Sequence, residues 1–398
     1  MNKALFSSPR VRRGFLAGLA CCLGSFAWAQ PVRPVVGKET TITMAAGDNL
    51  YKLGIRYNLA IEHFCYANHI PVKMDFPAGR ELLVPLSRIL PSNPPANGVV
   101  VNLPERGLFL FRDGKFVQFY PVAIGQPGRF STPTGNAEIV CRVKNPTWMP
   151  PEWAGLGNET VVPAGPANPL GDRWIGLSMP GLGFHSTNNP TSVGQAASHG
   201  CMRMYPDSVH DLFERVETGM PVRIEYEPVK LGQGEDGSLY LEILPDVYGR
   251  KPLLEECHRV LKLAGVEGWI SDTQLQKWCA APSGRPEILA DANVSVAVSG
   301  QTLDQPAVGL LTSGGLFVQV DAFRKAGFVT QYDGERKQLS LAKGNQQVIC
   351  SVGQADAGDD GPKAALIGGV SYVSARDVLS RFSMPVQWDK MNRRLDLP

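Results

Sequence analysis

The chain has 398 residues, with 39 Lys+Arg against 37 Asp+Glu and 43% hydrophobic residues. Residues 1–29 read as a removable leader carrying four of the basic residues, so the remaining 369 hold 35 basic against 37 acidic. That balance, with no basic run, excludes a nucleic-acid-binding face, and the length calls for more than one domain.

The leader begins "MNKALFSSPRVRRGF", with Lys3, Arg10, Arg12 and Arg13. An uncharged stretch from Gly14 to Ala29 follows, ending in the small-x-small site "AWA". This is the pattern of an export signal, too short to span a bilayer comfortably. Arg12–Arg13 ahead of Phe15 and Leu16 fits a twin-arginine signal as well as an ordinary secretory one. Cys21 and Cys22 lack a lipoprotein context. Six cysteines remain beyond the leader: 65, 141, 201, 257, 279 and 350. In an oxidising compartment they can pair, and Cys257 and Cys279, flanking two predicted helices, are expected to do so.

Residues 30–38 read as a short linker. In 40–86 a strand-like alternation leads to Gly47 and Asp48, with Asp48 the expected helix N-cap. Leu50, Leu53, Ile61, Phe64 and Cys65 give the apolar spacing of two short helices, and "ELLVP" a closing strand. The stretches "GDNLYKL" and "AGRELLVP", with Asn68, resemble the LysM module, a βααβ unit. The resemblance implies binding of N-acetylglucosamine-containing wall glycan between two loops, here Gly47, Asp48, Asn49 and Leu50, and Asn68 and Ile70 up to Pro71. A Pro-rich stretch at 91–98 predicts a semi-rigid spacer.

From 98 to 228 the pattern is mainly β. "VVVNLPERGLFLF", "KFVQFYPVAIG" and "NAEIVCRVK" alternate as strands, with turns at "RDG" and "GQPG". A Gly/Pro-rich loop region at 146–172 precedes two more strands, "DRWIGLSM" and "GLGFH". "YPDSVHDLFERVETG" predicts one packed helix, with Val209, Leu212, Phe213 and Val216 on one face. Residues 229–290 are expected to be a helical extension or linker. Residues 291–398 contain a repeat: 314–341 resembles 368–397, each unit reading as strand, helix and hairpin. It weakly resembles the N-terminal repeat domain of some copper amine oxidases, carries no metal-ligand cluster, and is expected to be a packing or interaction module of α+β type. The fold class is therefore multidomain and mainly β.

One short stretch carries the chemistry. "SHGCMRMY" at 198–205 places Cys201 two residues after His199, and "GFHSTNN" places His185 upstream. A zinc site built on His185, His199 and Cys201 lacks the usual short paired ligand spacing. A disulfide needs a partner that sequence cannot show. An inert thiol more often sits in an apolar run, whereas Cys201 follows Ser-His-Gly and precedes Arg203. A nucleophile needs a nearby base to take the thiol proton, and Gly200 allows close approach of backbone to a developing oxyanion. On the residues alone these alternatives stay open.

"FHSTNNPTSVGQAASHGCMRMY", together with "PVAIGQPG", "TPTGNAEI", "KNPTWMPP" and "GMPVRI", resembles the L,D-transpeptidases over about residues 98–228. The resemblance implies that Cys201 is the nucleophile and His185 the general base, oriented by the backbone carbonyl of Ser186. His199 and Gly200 would shape the site and its oxyanion hole, and Arg203 would support the loop or a substrate carboxylate. It also implies a periplasmic enzyme acting on peptidoglycan, with no metal or cofactor. Cys201 would attack the diamino acid–D-alanine bond of a tetrapeptide stem. The acyl group would pass to an amine on another stem or on an envelope protein such as an outer-membrane lipoprotein. Hydrolysis by water, or a non-catalytic wall-binding role, are the competing readings. Cys201 is expected as a thiolate of depressed pKa paired with His185.

Overall fold

A computed structural model describes residues 32–73, 75–150, 161–305, 308–352 and 363–398, and the leader at 1–29 lies outside them. Its first strand, β1 (Arg33–Val36), occupies the stretch expected to be a linker. Next come β2 (Thr40–Thr43), α1 (Leu50–Tyr57), α2 (Ile61–Ala67) and β3 (Glu81–Val84). Thr40 pairs with Val84 and Thr43 with Glu81, which closes a βααβ unit. The cap of α1 is Asn49, one residue later than expected: its Oδ1 accepts the Lys52 amide at 2.9 Å. Asp48 instead takes the Ala45 amide at 3.0 Å and an ion pair with Arg56.

β4 (Arg88–Ile89) leads into the central sheet. That sheet contains β5 (Gly98–Asn102), β6 (Gly107–Arg112) and β7 (Lys115–Pro121). The short β8 (Ile124–Gly125) lies outside it, followed by β9 (Gly135–Lys144), β10 (Arg173–Leu177) and β11 (Gly183–His185). β12 (Ala196–Ser198) pairs with β8, and β13 (Met202–Arg203), α3 (Pro206–Arg215) and β14 (Pro221–Glu225) complete the unit. The eight strands run β13-β11-β10-β9-β14-β5-β6-β7. One face packs on α3 through Val209, Leu212 and Phe213. The other face at β5–β7 is apolar too, and the βααβ unit covers it: Leu50, Leu53, Phe64 and Leu82 share one core with Val100, Phe109, Phe111 and Phe119. The Pro-rich spacer therefore joins two units that are packed together.

The segment expected to be a helical extension has both helices, α4 (Leu253–Leu263) and α5 (Asp272–Ala280), but strands as well. β15 (Val229–Gln233), β16 (Leu239–Ile243) and β17 (Pro286–Ala290) form a five-stranded sheet with β1 and β4, ordered β17-β16-β15-β1-β4. Alternation at Val229, Leu231, Leu239, Leu241 and Ile243 drives this, since those side chains share a core with Cys257 and Leu261 of α4. Cys257 and Cys279 are thiols with Sγ atoms 3.7 Å apart, not the expected disulfide.

A buried ionic cluster ties three parts of the chain together. Lys230 of β15 is fully buried and reaches Glu242 at 2.6 Å, Glu105 at 2.8 Å and the Ile89 carbonyl at 2.7 Å. Arg88 lies 3.8 Å from Glu105 and stacks over Phe119. Burial pulls the Lys230 pKa down, but the two carboxylates outweigh it and hold it above its usual value.

In the C-terminal part both repeats fold as strand, helix and hairpin. Gly315–Gln319, Val320–Lys325 and the hairpin Val329–Asp333/Gln338–Lys343 form the first. Val370–Ser374, Ala375–Arg381 and Gln387–Asp389/Arg394–Leu397 form the second. Their leading strands pair antiparallel, Val318 against Val373. The two hairpins enter different sheets, one of seven strands and one of four.

Candidate active site

The site is built at the β11–β13 edge of the central sheet. These strands run parallel, with Phe184 opposite Met202 and His185 opposite Arg203. Side chains alternate along a strand, so His185 and Arg203 share a face, and Cys201 joins them two residues before Arg203. Trp174 pairs with His185 on the next strand and lies on the same face, ring centroids 5.9 Å apart. His185, Cys201, Arg203, Trp174, His199 and Trp148 line one cavity of about 510 Å³. The alternation that hides Phe184, Met202 and Met204 in the core thus turns the reactive set outward.

His185 is buried, and its Nδ1 lies 2.6 Å from the Ser186 carbonyl. A carbonyl only accepts, so Nδ1 carries the proton and Nε2 keeps its lone pair. Burial, with a smaller push from the Arg203 charge, lowers the His185 pKa to about 4, against the upward pull of the Ser186 contact. Ser186 fits because residue 171 is glycine with φ +62°: a Cβ there would sit 2.4 Å from the Ser186 Cβ.

The thiol of Cys201 donates to the Gly181 carbonyl at 3.1 Å. Burial raises its pKa, opposed by a backbone hydrogen bond from Gly183 and by the Arg203 charge. The expected thiolate–imidazolium pair is therefore not the resting state. Burial pushes the Cys201 thiol up and the His185 imidazole down, both toward the neutral form; the Arg203 guanidinium opposes the first shift and adds to the second.

The turn before the cysteine is tightly held. Gly200 is buried at φ +118°, and its amide donates to Ser198 Oγ at 3.2 Å. Ser198 Oγ in turn donates to the Cys201 carbonyl at 2.5 Å. The Gly200 amide is thus committed inside the turn rather than aimed at an oxyanion, and glycine is needed here for its left-handed backbone. His199 is exposed, edge-on to Phe130 at 4.6 Å. Arg203 reaches Ser192 Oγ at 3.4 Å and faces the thiol. Among the described residues no three His, Cys, Asp or Glu side chains gather as a metal-holding group, and no helix is long and apolar enough to cross a membrane.

The expected sugar-binding residues fare unevenly. Leu50 is wholly buried in the core. Asn68 spends its carboxamide on the Phe64 and Leu83 carbonyls and the Leu83 amide, fastening α2 to β3. Asn49 and Asp48 are occupied as caps. Gly47 is exposed, and Ile70 is half-buried on the unit's own core. Leu50 and Asn68 were legible as motif positions, but their roles are structural. Gly171, Gly181 and Thr132 were missed, since only the folded loop brings them to the cysteine.

The family model of the YkuD L,D-transpeptidase catalytic domain matches residues 96–224. The probable L,D-transpeptidase YcfS of Escherichia coli (strain K12) is 31% identical over 264 residues, covering 61% of this chain and 81% of that protein. The chain belongs to the L,D-transpeptidase family. The probable L,D-transpeptidase YbiS of the same strain is 32% identical over 222 residues, covering 52% of this transpeptidase and 71% of its own length. Among solved structures, the catalytic domain of an E. faecium L,D-transpeptidase aligns at 23% identity and a TM-score of 0.26, covering 32% of this chain and 96% of that one.

Proposed function

We propose that this protein is a periplasmic L,D-transpeptidase that remodels peptidoglycan, with Cys201 as nucleophile and His185 as general base. The observation that carries this reading is the His185 tautomer. With Nδ1 tied to the Ser186 carbonyl, Nε2 is the free base in the cavity that holds the thiol.

Acylation then involves two proton movements, one on attack and one on collapse. The Cys201 proton passes to His185 Nε2 as sulfur bonds to the carbonyl carbon of the diamino acid in a tetrapeptide stem. Arg203 stabilises the negative charge that develops beside it. On collapse the carbon–nitrogen bond breaks and D-alanine leaves with the proton returned from Nε2. The thioester is next attacked by an acceptor amine, which gives its proton to His185, and the thiol is regenerated. A stem peptide is the acceptor the reading takes first, and an envelope protein is the second. Neutral resting partners suit this cycle, since proton and electron pair move together and no buried charge waits for substrate.

The βααβ unit is read as the glycan-binding part, through the exposed rim at Gly47 and Pro71–Val72 rather than through Leu50 or Asn68. Pro71→Asp with Val72→Asp should then weaken sedimentation with sacculi and leave turnover of soluble muropeptides intact.

Mass spectrometry of products from defined tetrapeptide muropeptides tests the central reading. Transfer products that vanish in Cys201→Ser support it, and tripeptide as the sole product would establish hydrolysis instead. His185→Ala should be nearly as inactive as Cys201→Ser, and the double variant little worse, because the pair acts as one unit.

A further inference from the structure

Behind the catalytic turn lies a closed ring of hydrogen bonds whose anchor comes from outside the family-matched region. Thr132 is fully buried, and its Oγ1 donates to the Gly200 carbonyl at 2.8 Å and accepts the Gly125 amide at 2.9 Å. The Thr132 amide donates to the hydroxyl of Tyr248 at 3.1 Å, and that hydroxyl donates to the Gly125 carbonyl at 2.8 Å. One phenol oxygen thus holds both ends of the 125–132 loop. The loop meets the catalytic turn twice, through Thr132 on Gly200 and through Phe130 against His199. It also meets β12, where the Gln126 amide donates to the Ser198 carbonyl at 2.9 Å. The doubling back is close: a Cβ on Gly125 would lie 1.9 Å from the Phe130 carbonyl.

Tyr248 is itself held rigidly. Its ring stacks on Tyr226 at 5.7 Å and 20°, and its amide donates to the Tyr226 hydroxyl at 2.9 Å. The Tyr226 hydroxyl donates to Asp246, and Arg250 covers both rings. Tyr248 sits beyond residue 224, where the family match ends.

We propose that Tyr248 is a positioning residue for catalysis: through Thr132 and Gly125 it fixes the Gly200 carbonyl, and so the placement of Cys201 beside His185. The segment after the catalytic domain is then part of the catalytic unit. Gly200 is the pivot because glycine has no Cβ to restrict its backbone, and the Thr132 bond to its carbonyl adds to the Ser198 bonds on its amide and on the Cys201 carbonyl in setting the peptide plane that leads to Cys201. A small rotation there moves the sulfur relative to Nε2, and such misplacement is costly to a reaction that depends on alignment.

This inference rests on Cys201 being the nucleophile, so the test reads the two separately. Tyr248→Phe keeps the stacked ring and removes only the oxygen. Acylation by a carbapenem, kcat and KM with a tetrapeptide muropeptide, and Tm are measured on the full mature chain, with Cys201→Ala alongside. The expected result is a loss of about tenfold in kcat and in the acylation rate, with KM within about twofold and Tm nearly unchanged. Thr132→Val should lose as much, and the double variant no more than either, because both break one ring. Wild-type kcat in Tyr248→Phe, a loss confined to KM, a loss that tracks a fall in Tm, or losses that multiply in the double variant each overturn the proposal. Wild-type acylation that persists in Cys201→Ala would instead remove the underlying assignment.

Discussion

If Cys201 and His185 act as the proposed pair, their shifts toward the neutral forms make a pH-profile prediction that an ion pair does not share. An unperturbed cysteine is only a few per cent thiolate at neutral pH, and burial takes Cys201 lower. With the His185 pKa at about 4, the imidazole is about 90% free base at pH 5, about half at pH 4 and about a tenth at pH 3. Single-turnover acylation by a carbapenem, followed by intact mass, should therefore lose rate with a midpoint near pH 4, far below the usual histidine value. Alkylation of the free enzyme by iodoacetamide should climb steadily into alkaline pH without a plateau. The acid arm needs a brief pH jump, because the same burial makes the fold acid-sensitive. His63 and His185 have native pKa values of about 3 and about 4, both depressed first by desolvation. The unfolded chain therefore binds more protons between those values and about 6.5, and stability falls as pH drops through that window. An acid limb near pH 6.5, or alkylation already at its maximum between pH 5 and 8, would refute the neutral pair and restore the thiolate–imidazolium picture.

Other outcomes test the packing. Deleting residues 40–86 should cripple the enzyme rather than merely release it from the wall, since the cut uncovers Phe109, Phe111 and Phe119; differential scanning calorimetry would show the catalytic unit melting far lower, and an unchanged Tm would disprove the shared core. Lys230→Met should cost about 3–5 kcal/mol in urea unfolding by stranding Glu105 and Glu242, and adding Glu242→Leu should recover part of it. Cys257 and Cys279, with sulfurs 3.7 Å apart, should join on exposure to a disulfide oxidant, each sulfur losing one proton and one electron, and non-reducing peptide mapping would report the bridge. The carbapenem adduct should map to Cys201 alone; an adduct on Cys65, Cys141 or Cys350 contradicts the site.

Local pattern was enough for much of this protein. The spacing of Leu50, Leu53 and Phe64 declared two helices, the alternation of "GLFLF" and "KFVQFYPVAIG" declared strands, and the repeat at 314–341 and 368–397 declared its own architecture, because each depends on neighbours a few residues apart. The His185, His199, Gly200, Cys201 and Arg203 set was visible as a motif for the same reason. What the sequence left open was everything fixed by distant contacts. The strand at 33–36 reads as a linker until Gly232 pairs with Arg33, and the Pro-rich spacer reads as a separator until the βααβ unit lands on Phe109 and Phe119. The charge state of Cys201 and His185 depends on how completely the folded pocket strips water from both, a quantity that no spacing encodes. Tyr248, 47 positions from the cysteine in the chain, reaches its turn only because the loop at 125–132 bridges them.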